Sequence, residues 1–306
     1  MIPLLLLATA GPPARPAPQA VDSLRRAVLA RIARESTATV AVVARDPVSG
    51  LVLEINPDLR FHAASTMKVG VLIELARRVD ARELRWTDSI PVKNEFTSLA
   101  DGSPFTLDRN DDGDSTMYAA IGTRVSLRQL ATRMIVRSSN LATNLLIERL
   151  DPARVTATIR RLGGDSMVVL RGVEDGKAFA KGLNNTTTAR DLATLLLAIE
   201  DRRAVSAEAT REILGMLLAQ EFNDGIPAGL PPGTRVAHKT GEITATWHDA
   251  ALIYPPDGRP YALVVLTRGI PERAAAWGCM PMSPDWCTPR SSRRASLSSR
   301  RRARRP

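Results

Sequence analysis

Thr39-Val40-Ala41-Val42-Val43-Ala44-Arg45-Asp46-Pro47-Val48-Ser49-Gly50-Leu51-Val52-Leu53-Glu54-Ile55 is the stretch on which the fold turns. Its first six residues are rich in β-branched side chains, which suit a pleated, packed surface. Asp46 to Gly50 is turn chemistry, and Leu51 to Ile55 is apolar again, so the whole reads as a β-hairpin. A helix precedes it. Val21 to Arg34 places Leu24, Val28, Leu29 and Ile32 on one side and Arg25, Arg26 and Arg31 on the other.

Beyond the hairpin a helix is expected to begin near Ser65, and its body, Val69 to Leu75, is apolar nearly all round, as in a buried helix. From Asp80 to about Arg203 the chain reads as mainly helical, with clear periods over Leu127–Val136, Ala142–Leu150 and Ala189–Ile199, and with a polar loop from Asn94 to Ser115. A helix over Ser206–Leu218 follows. Strands return at Arg235–Lys239, Asp249–Tyr254 and Tyr261–Thr267. The order of helix, two strands, helical block and three strands predicts an α/β (α+β) fold. An antiparallel sheet would be flanked by helices, and an inserted helical lobe, about residues 80–203, would form a cleft with it.

Three short motifs occur in order: Ser65-Thr66-Met67-Lys68, Ser138-Ser139-Asn140 and Lys239-Thr240-Gly241. Each is weak alone, because a Ser-x-Asn triplet caps helices and a Lys-Thr-Gly triplet can simply end a strand. Together, each on its expected element, they are specific. Ser65 and Lys68 are three apart and share one face of a helix. A serine hydroxyl needs a base to take its proton. Lys68 can be that base if its pKa falls, through burial and neighbouring cations such as Lys239. The chain has five lysines among 42 basic residues, and two of the five stand in these motifs. Arginine cannot release its proton in a protein, so a proton-shuttling position needs lysine.

With these motifs, with Leu141-Ala142-Thr143-Asn144-Leu145-Leu146 after the second, and with His238 and His248-Asp249-Ala250-Ala251 around the third, the sequence from Val21 to Arg273 resembles class A β-lactamases and penicillin-binding serine hydrolases. The resemblance implies a β-lactamase/transpeptidase-like fold and an acyl-enzyme on Ser65. It implies Lys68 as base, Ser138 as proton carrier to the leaving nitrogen, and Asn140 as partner of the substrate's acyl-amide side chain. Lys239, Thr240 and Gly241 would line the carboxylate site, and the N–H groups of Ser65 and Glu242 would form the oxyanion hole. Glu174 would orient the deacylating water.

The sequence departs from that family in three places. Ser139 stands where β-lactamases usually carry Asp. Ala178 stands where the asparagine of an E-x-x-x-N loop would follow Glu174. The Asn94–Ser115 segment looks like an insertion. Within it, Asp108-Arg109-Asn110-Asp111-Asp112-Gly113 opens like a calcium loop, but Ala119 occupies the closing position, so it reads as an acidic surface loop. No metal and no cofactor are expected. The leading activity is β-lactam hydrolysis. The alternatives are a DD-peptidase on peptidoglycan-like substrates with slow deacylation, and a β-lactam-binding sensor without turnover.

Composition places the chain among globular proteins: 306 residues, 44% hydrophobic and 24% charged. Its net charge of +10 is concentrated after Ala276, where eight arginines stand against one acid, Asp285. A nucleic-acid partner is therefore not expected, and a monomer is. Met1-Ile2-Pro3-Leu4-Leu5-Leu6-Leu7-Ala8-Thr9-Ala10 reads as the end of a signal peptide, with a Pro/Ala-rich linker to residue 20. That predicts a periplasmic or secreted protein with no stable membrane anchor. A domain over residues 21–275 and an Arg/Ser-rich tail over 276–306 complete the organisation. The tail contains Cys279 and Cys287 and reads as the product of a frameshift that replaced a final helix.

Overall fold

A computed structural model of the chain describes residues 17–35, 37–256 and 260–273. The leader, most of the linker and the tail expected from the sequence lie outside the described residues.

The hairpin forms as its sequence requires: β1 (Thr39–Asp46) pairs with β2 (Leu51–Ile55), with Val43 opposite Glu54. The Asp46 carboxylate closes the turn by accepting from the N–H groups of Val48 (2.8 Å) and Ser49 (3.2 Å). The three later strands are β3 (Arg235–Ile243), β4 (Thr246–Tyr254) and β5 (Tyr261–Arg268). They join β1 and β2 in one five-stranded sheet of order β2-β1-β5-β4-β3, antiparallel throughout.

The sheet has two apolar faces, because successive side chains on a strand point to opposite sides. Val40, Val42 and Ala44 share one face with Leu263 and Val265, under helix α1 (Pro18–Ile32), whose Val28 is buried there. Ala41 and Val43 point the other way, with Val264 and Leu266, into the main core. Burial on both sides explains why these strands read as continuous apolar runs rather than alternating ones.

The main core is organised around α2 (Lys68–Asp80), every residue of which from Lys68 to Ala76 is buried. Around it pack α3 (Leu127–Val136), α4 (Asn140–Leu150) and α5 (Pro152–Arg161). After the short α6 (Gly176–Ala180) come α7 (Ala189–Glu200), which lies against the sheet, and α8 (Ala207–Leu218), which packs beside β3. Glu74 is buried in the middle of α2. It is held there by Arg77 (2.8 Å) and by the Thr158 hydroxyl (2.6 Å), as a buried carboxylate must be. Among the described residues no helix is long and apolar enough to cross a membrane.

Near the first and third motifs the boundaries differ from the sequence expectation. The α-helix begins at Lys68, and Ser65 lies in a 3-10 turn, Ala64–Met67, that leads into it. The Lys239-Thr240-Gly241 triplet lies inside β3 rather than at its end, because pairing with β4 continues to Ile243 opposite Thr246.

Candidate active site

The turn that carries Ser65 is built by its neighbours. Phe61 and His62 pair with Thr187 and Thr186, and Ala64 follows with φ at +45°, a left-handed conformation that costs a non-glycine residue energy. The His62 imidazole offsets part of that cost, since its Nδ1 accepts from the Ala64 N–H at 3.0 Å. His248 on β4 holds the same segment from behind. Its Nε2–H donates to the His62 carbonyl at 2.9 Å, and its Nδ1 accepts from the Thr267 N–H at 3.2 Å. Burial pushes both imidazoles down to about 4.

β3 passes close to this turn. A Cβ on Gly241 would lie 3.0 Å from Thr66 Cγ2 and 3.1 Å from the Thr66 nitrogen. Glycine is therefore the residue that lets the strand approach the serine turn. Lys239 and Gly241 are buried, Thr240 is half-buried and Glu242 is exposed, its carboxylate 3.8 Å from Arg273.

Lys68 is fully buried. Its Nζ donates to the Ser138 carbonyl (2.8 Å), the Ser138 hydroxyl (3.1 Å) and Asn140 Oδ1 (2.9 Å). Desolvation lowers its pKa to about 7, against the opposing pull of the Asp112 and Glu174 charges. Burial, more than a neighbouring cation, is thus the source of the depression expected from the sequence. Lys239 is also fully buried and lies well below the ordinary lysine range, because of desolvation and then the charge of Lys68. Its Nζ donates to the Thr240 carbonyl at 3.0 Å.

The second motif spans the joint between α3 and α4. Ser138 has φ at +57°, which turns the chain, and the Ser139 hydroxyl caps α4 by accepting from Ala142 N–H at 3.2 Å. Asn140 opens α4 and donates through Nδ2 to the Glu174 carboxylate. Glu174 is half-buried, with φ at +61°, and desolvation raises its pKa. The loop that carries it is pinned at its base. Asn185 Oδ1 accepts from the N–H groups of Leu170 (2.7 Å) and Arg171 (3.1 Å), while the Arg171 guanidinium donates to the carbonyls of Leu183 and Gly172. Ala178 is fully buried in α6, and its N–H is taken by Asp175. It therefore offers the cleft no polar group.

A cleft of about 230 Å³ opens beside Ser65; Lys68, Ser138, Lys239, Thr240 and Gly241 are not among the residues that line it. Ser65, Asn140, Glu174 and Glu242 line it, with His62 and the exposed ring of Phe179 on the rim. Sequence reasoning missed three contributors. Asp112, expected on an acidic surface loop, and Asp114, in the polar Asn94–Ser115 segment, are 8% and 2% exposed. Asp108 to Asp111 do face solvent, but the chain then turns in, and Asp112 accepts from the Asn140 N–H (3.0 Å) and the Leu141 N–H (2.9 Å). Tyr118 is half-buried near Asp112 and Glu174, and desolvation with those charges pushes its phenol upward. The only sequence signal for this group was the Asp-Gly pair at 112–113.

The Asn94–Ser115 segment contains a small hairpin, Phe96–Thr97 against Pro104–Phe105, clamped to the Glu174 loop. Asp175 accepts from the Ser98 hydroxyl and the Leu99 N–H, both at 2.8 Å, and Lys177 donates to Asp101 at 3.0 Å.

A β-lactamase of Sphaerobacter thermophilus is 30% identical, with 83% of this chain and 93% of that chain aligned at a TM-score of 0.69. One from Xanthomonas campestris is 26% identical over 87% of this chain and 98% of its own, at a TM-score of 0.74. A Bacillus licheniformis β-lactamase is 27% identical over 252 residues, which cover 78% of this chain and 74% of the relative. An antiparallel sheet under a helical lobe, with these relatives, defines the class as a hydrolase of the β-lactamase type. The family model of the β-lactamase enzyme family matches residues 23–277, and the chain belongs to that family.

Proposed function

We propose that the chain is an exported class A-type serine hydrolase that opens the amide of a β-lactam through an acyl-enzyme on Ser65. The observation that carries this reading is the setting of Lys68: fully buried, near pKa 7, with three oxygen acceptors around Nζ. A neutral lysine has two N–H groups and one lone pair. The Ser138 carbonyl and Asn140 Oδ1 can only accept, so they take the two N–H groups. The lone pair is then free for a hydroxyl proton.

Ser65 Oγ attacks the lactam carbonyl carbon as its proton passes to Lys68, and the charge that develops on the carbonyl oxygen is met by the N–H groups of Ser65 and Glu242. The tetrahedral intermediate collapses by breaking the C–N bond. Lys68 returns the proton through the Ser138 hydroxyl, 3.1 Å away, to the leaving nitrogen. Lys239 and Thr240 hold the substrate carboxylate, which gives Lys239 the counter-charge that favours its ammonium form. Asn140 meets the acyl-amide side chain. Glu174, whose raised pKa suits a base, takes a proton from water as that water attacks the ester carbon; the C–Oγ bond then breaks, and the proton passes from Glu174 to Ser65 Oγ, which regenerates the serine hydroxyl and the carboxylate.

Ala178 favours a second reading of the last step. With no amide side chain there to help hold the water, the same site would acylate and release slowly, as a DD-peptidase or penicillin-binding hydrolase does. A sensor would be acylated and not turn over. Intact-mass spectrometry with benzylpenicillin over time separates these outcomes. A transient adduct on Ser65, absent in Ser65→Ala, is expected. A lasting adduct supports the second reading, and no adduct overturns both.

The apolar leader ending in Ala8-Thr9-Ala10 supports export to the periplasm or medium, where such substrates are met. An antibiotic-resistance role follows from hydrolysis in that location.

A further inference from the structure

We propose that Asp112, on the inserted loop, is a positioning residue for acylation: its carboxylate holds the Ser138-Ser139-Asn140 turn against Lys68. The inference rests on the acyl-transfer reading above and goes beyond it, since none of the three motifs contains Asp112.

The motif itself carries no carboxylate; its middle residue is Ser139. Both Asp112 oxygens are nevertheless committed to the end of this motif and the residue after it. Oδ1 accepts from the N–H of Asn140 at 3.0 Å, and Oδ2 accepts from the N–H of Leu141 at 2.9 Å. These are the first two N–H groups of α4, which have no partner within the helix and carry its positive end. Ser139 takes the third, at Ala142. Three consecutive donors are thereby fixed, and with them the backbone of Asn140 and the chain that follows the Ser138 carbonyl; Asn140 Oδ1 and that carbonyl both accept from Lys68.

The loop is built to bring Asp112 there. Asp112 Oδ1 also accepts from the N–H of Asp114 at 2.8 Å, which folds the loop tip around the carboxylate. Asp114 in turn pairs with Arg133 (2.6 Å) and Arg137 (3.5 Å) on and just after α3. Between them, Gly113 passes so close that a Cβ would lie 2.5 Å from the Arg137 carbonyl oxygen. The loop therefore spans from the end of α3 to the start of α4 and braces the joint where Ser138 adopts its left-handed turn.

Asp112 has a second effect, through charge. Lys68 faces Asp112 from the inserted loop, Glu174 from its own loop and Lys239 from β3; the two carboxylates favour its ammonium form. Removing the Asp112 charge favours neutral Lys68, while removing the clamp loosens Ser138 and Asn140. A residue that only stabilised the fold would do neither at the reaction centre.

The test is the pH profile of the Ser65 acylation rate, measured by stopped flow or quenched mass spectrometry with benzylpenicillin. In Asp112→Asn the plateau rate is expected to fall roughly 10- to 100-fold, the scale of a small misplacement of reacting groups. Its acid limb is expected to move down by roughly one pH unit, the scale of one nearby charge. Asp112→Glu keeps the charge on a longer stem, so the limb should stay while the plateau falls. Ser139→Asp added to Asp112→Asn restores a carboxylate at the same helix end and should recover part of the rate and return the limb upward. Asp111→Asn, on the exposed part of the loop, should acylate like the unaltered protein. If Asp112→Asn does not fold, Asp112→Glu decides. Normal acylation of the unaltered protein, with an unchanged plateau and limb in Asp112→Asn or an unchanged plateau in Asp112→Glu, overturns the assignment of Asp112 and leaves the Ser65 reading intact. Failure of the unaltered protein to acylate overturns the Ser65 reading instead.

Discussion

Acidification from about pH 7.5 to 5 should destabilise this protein, and His248 is the reason. The ring is fully buried and locked in one neutral tautomer: Nδ1 accepts from Thr267 N–H, and Nε2–H donates to the His62 carbonyl. A second proton would have to sit on Nδ1, facing the Thr267 N–H. Burial accordingly lowers its pKa from 6.5 to about 4. Between those values the unfolded chain binds a proton that the folded chain refuses, so stability is fully present above pH 6.5 and is lost as pH falls toward 4. At 1.36 kcal/mol for each pH unit, the loss between about pH 7.5 and 5 is roughly 2 kcal/mol, approaching ~3 kcal/mol by pH 4. Such a loss is a large part of a typical domain's stability. His62 adds in the same direction, but less, because it is partly exposed. The assay is urea unfolding at several pH values across this window, for the unaltered protein and for His248→Gln. The variant keeps a donor toward His62 but no titrating ring. It should be less stable at pH 7.5, by about 1 kcal/mol for one lost acceptor, and should show a clearly shallower slope from pH 6.5 to 5. A flat profile in the unaltered protein, or equal slopes in both, would refute the reasoning.

Two further outcomes follow from the proposed mechanism. Lys239→Ala should lower kcat/KM for substrates with a carboxylate by roughly 10- to 100-fold, the worth of a lost charge-assisted bond, and should barely affect neutral esters; comparing a penicillin with an uncharged ester checks this, and equal losses would contradict the anion-binding role. Glu174→Gln should lengthen the lifetime of the Ser65 adduct, by roughly 100-fold or more if it removes the general base, while acylation changes little; an unchanged lifetime in the mass-spectrometric time course would mean that water is activated elsewhere.

Much of the architecture was legible from residue order alone. β-branched runs and turn residues are local signals, so the hairpin at Thr39–Ile55 and the three later strands could be placed, and the buried character of α2 followed from Val69–Leu75 being apolar on every side. Ser65, Lys68 and Lys239 could be singled out because their chemistry depends on residue type and short spacing. The limits of elements were less legible. Whether β3 ends at Lys239 or Ile243 depends on the partner strand β4, which no local pattern in β3 reveals.

What only the tertiary structure decided is the environment of those groups. Lysine at position 68 is a sequence fact; a pKa near 7 comes from complete burial, which outweighs the charges of Asp112 and Glu174. Asp112 belongs to a run of acids that reads as a solvated loop, and its four predecessors are solvated. Its own inward turn depends on Gly113 fitting against the Arg137 carbonyl and on the open N–H groups of α4, contacts between segments that only folding brings together. Desolvation and long-range hydrogen bonds have no local period, and that is why the sequence names the candidate residues while the fold sets their surroundings.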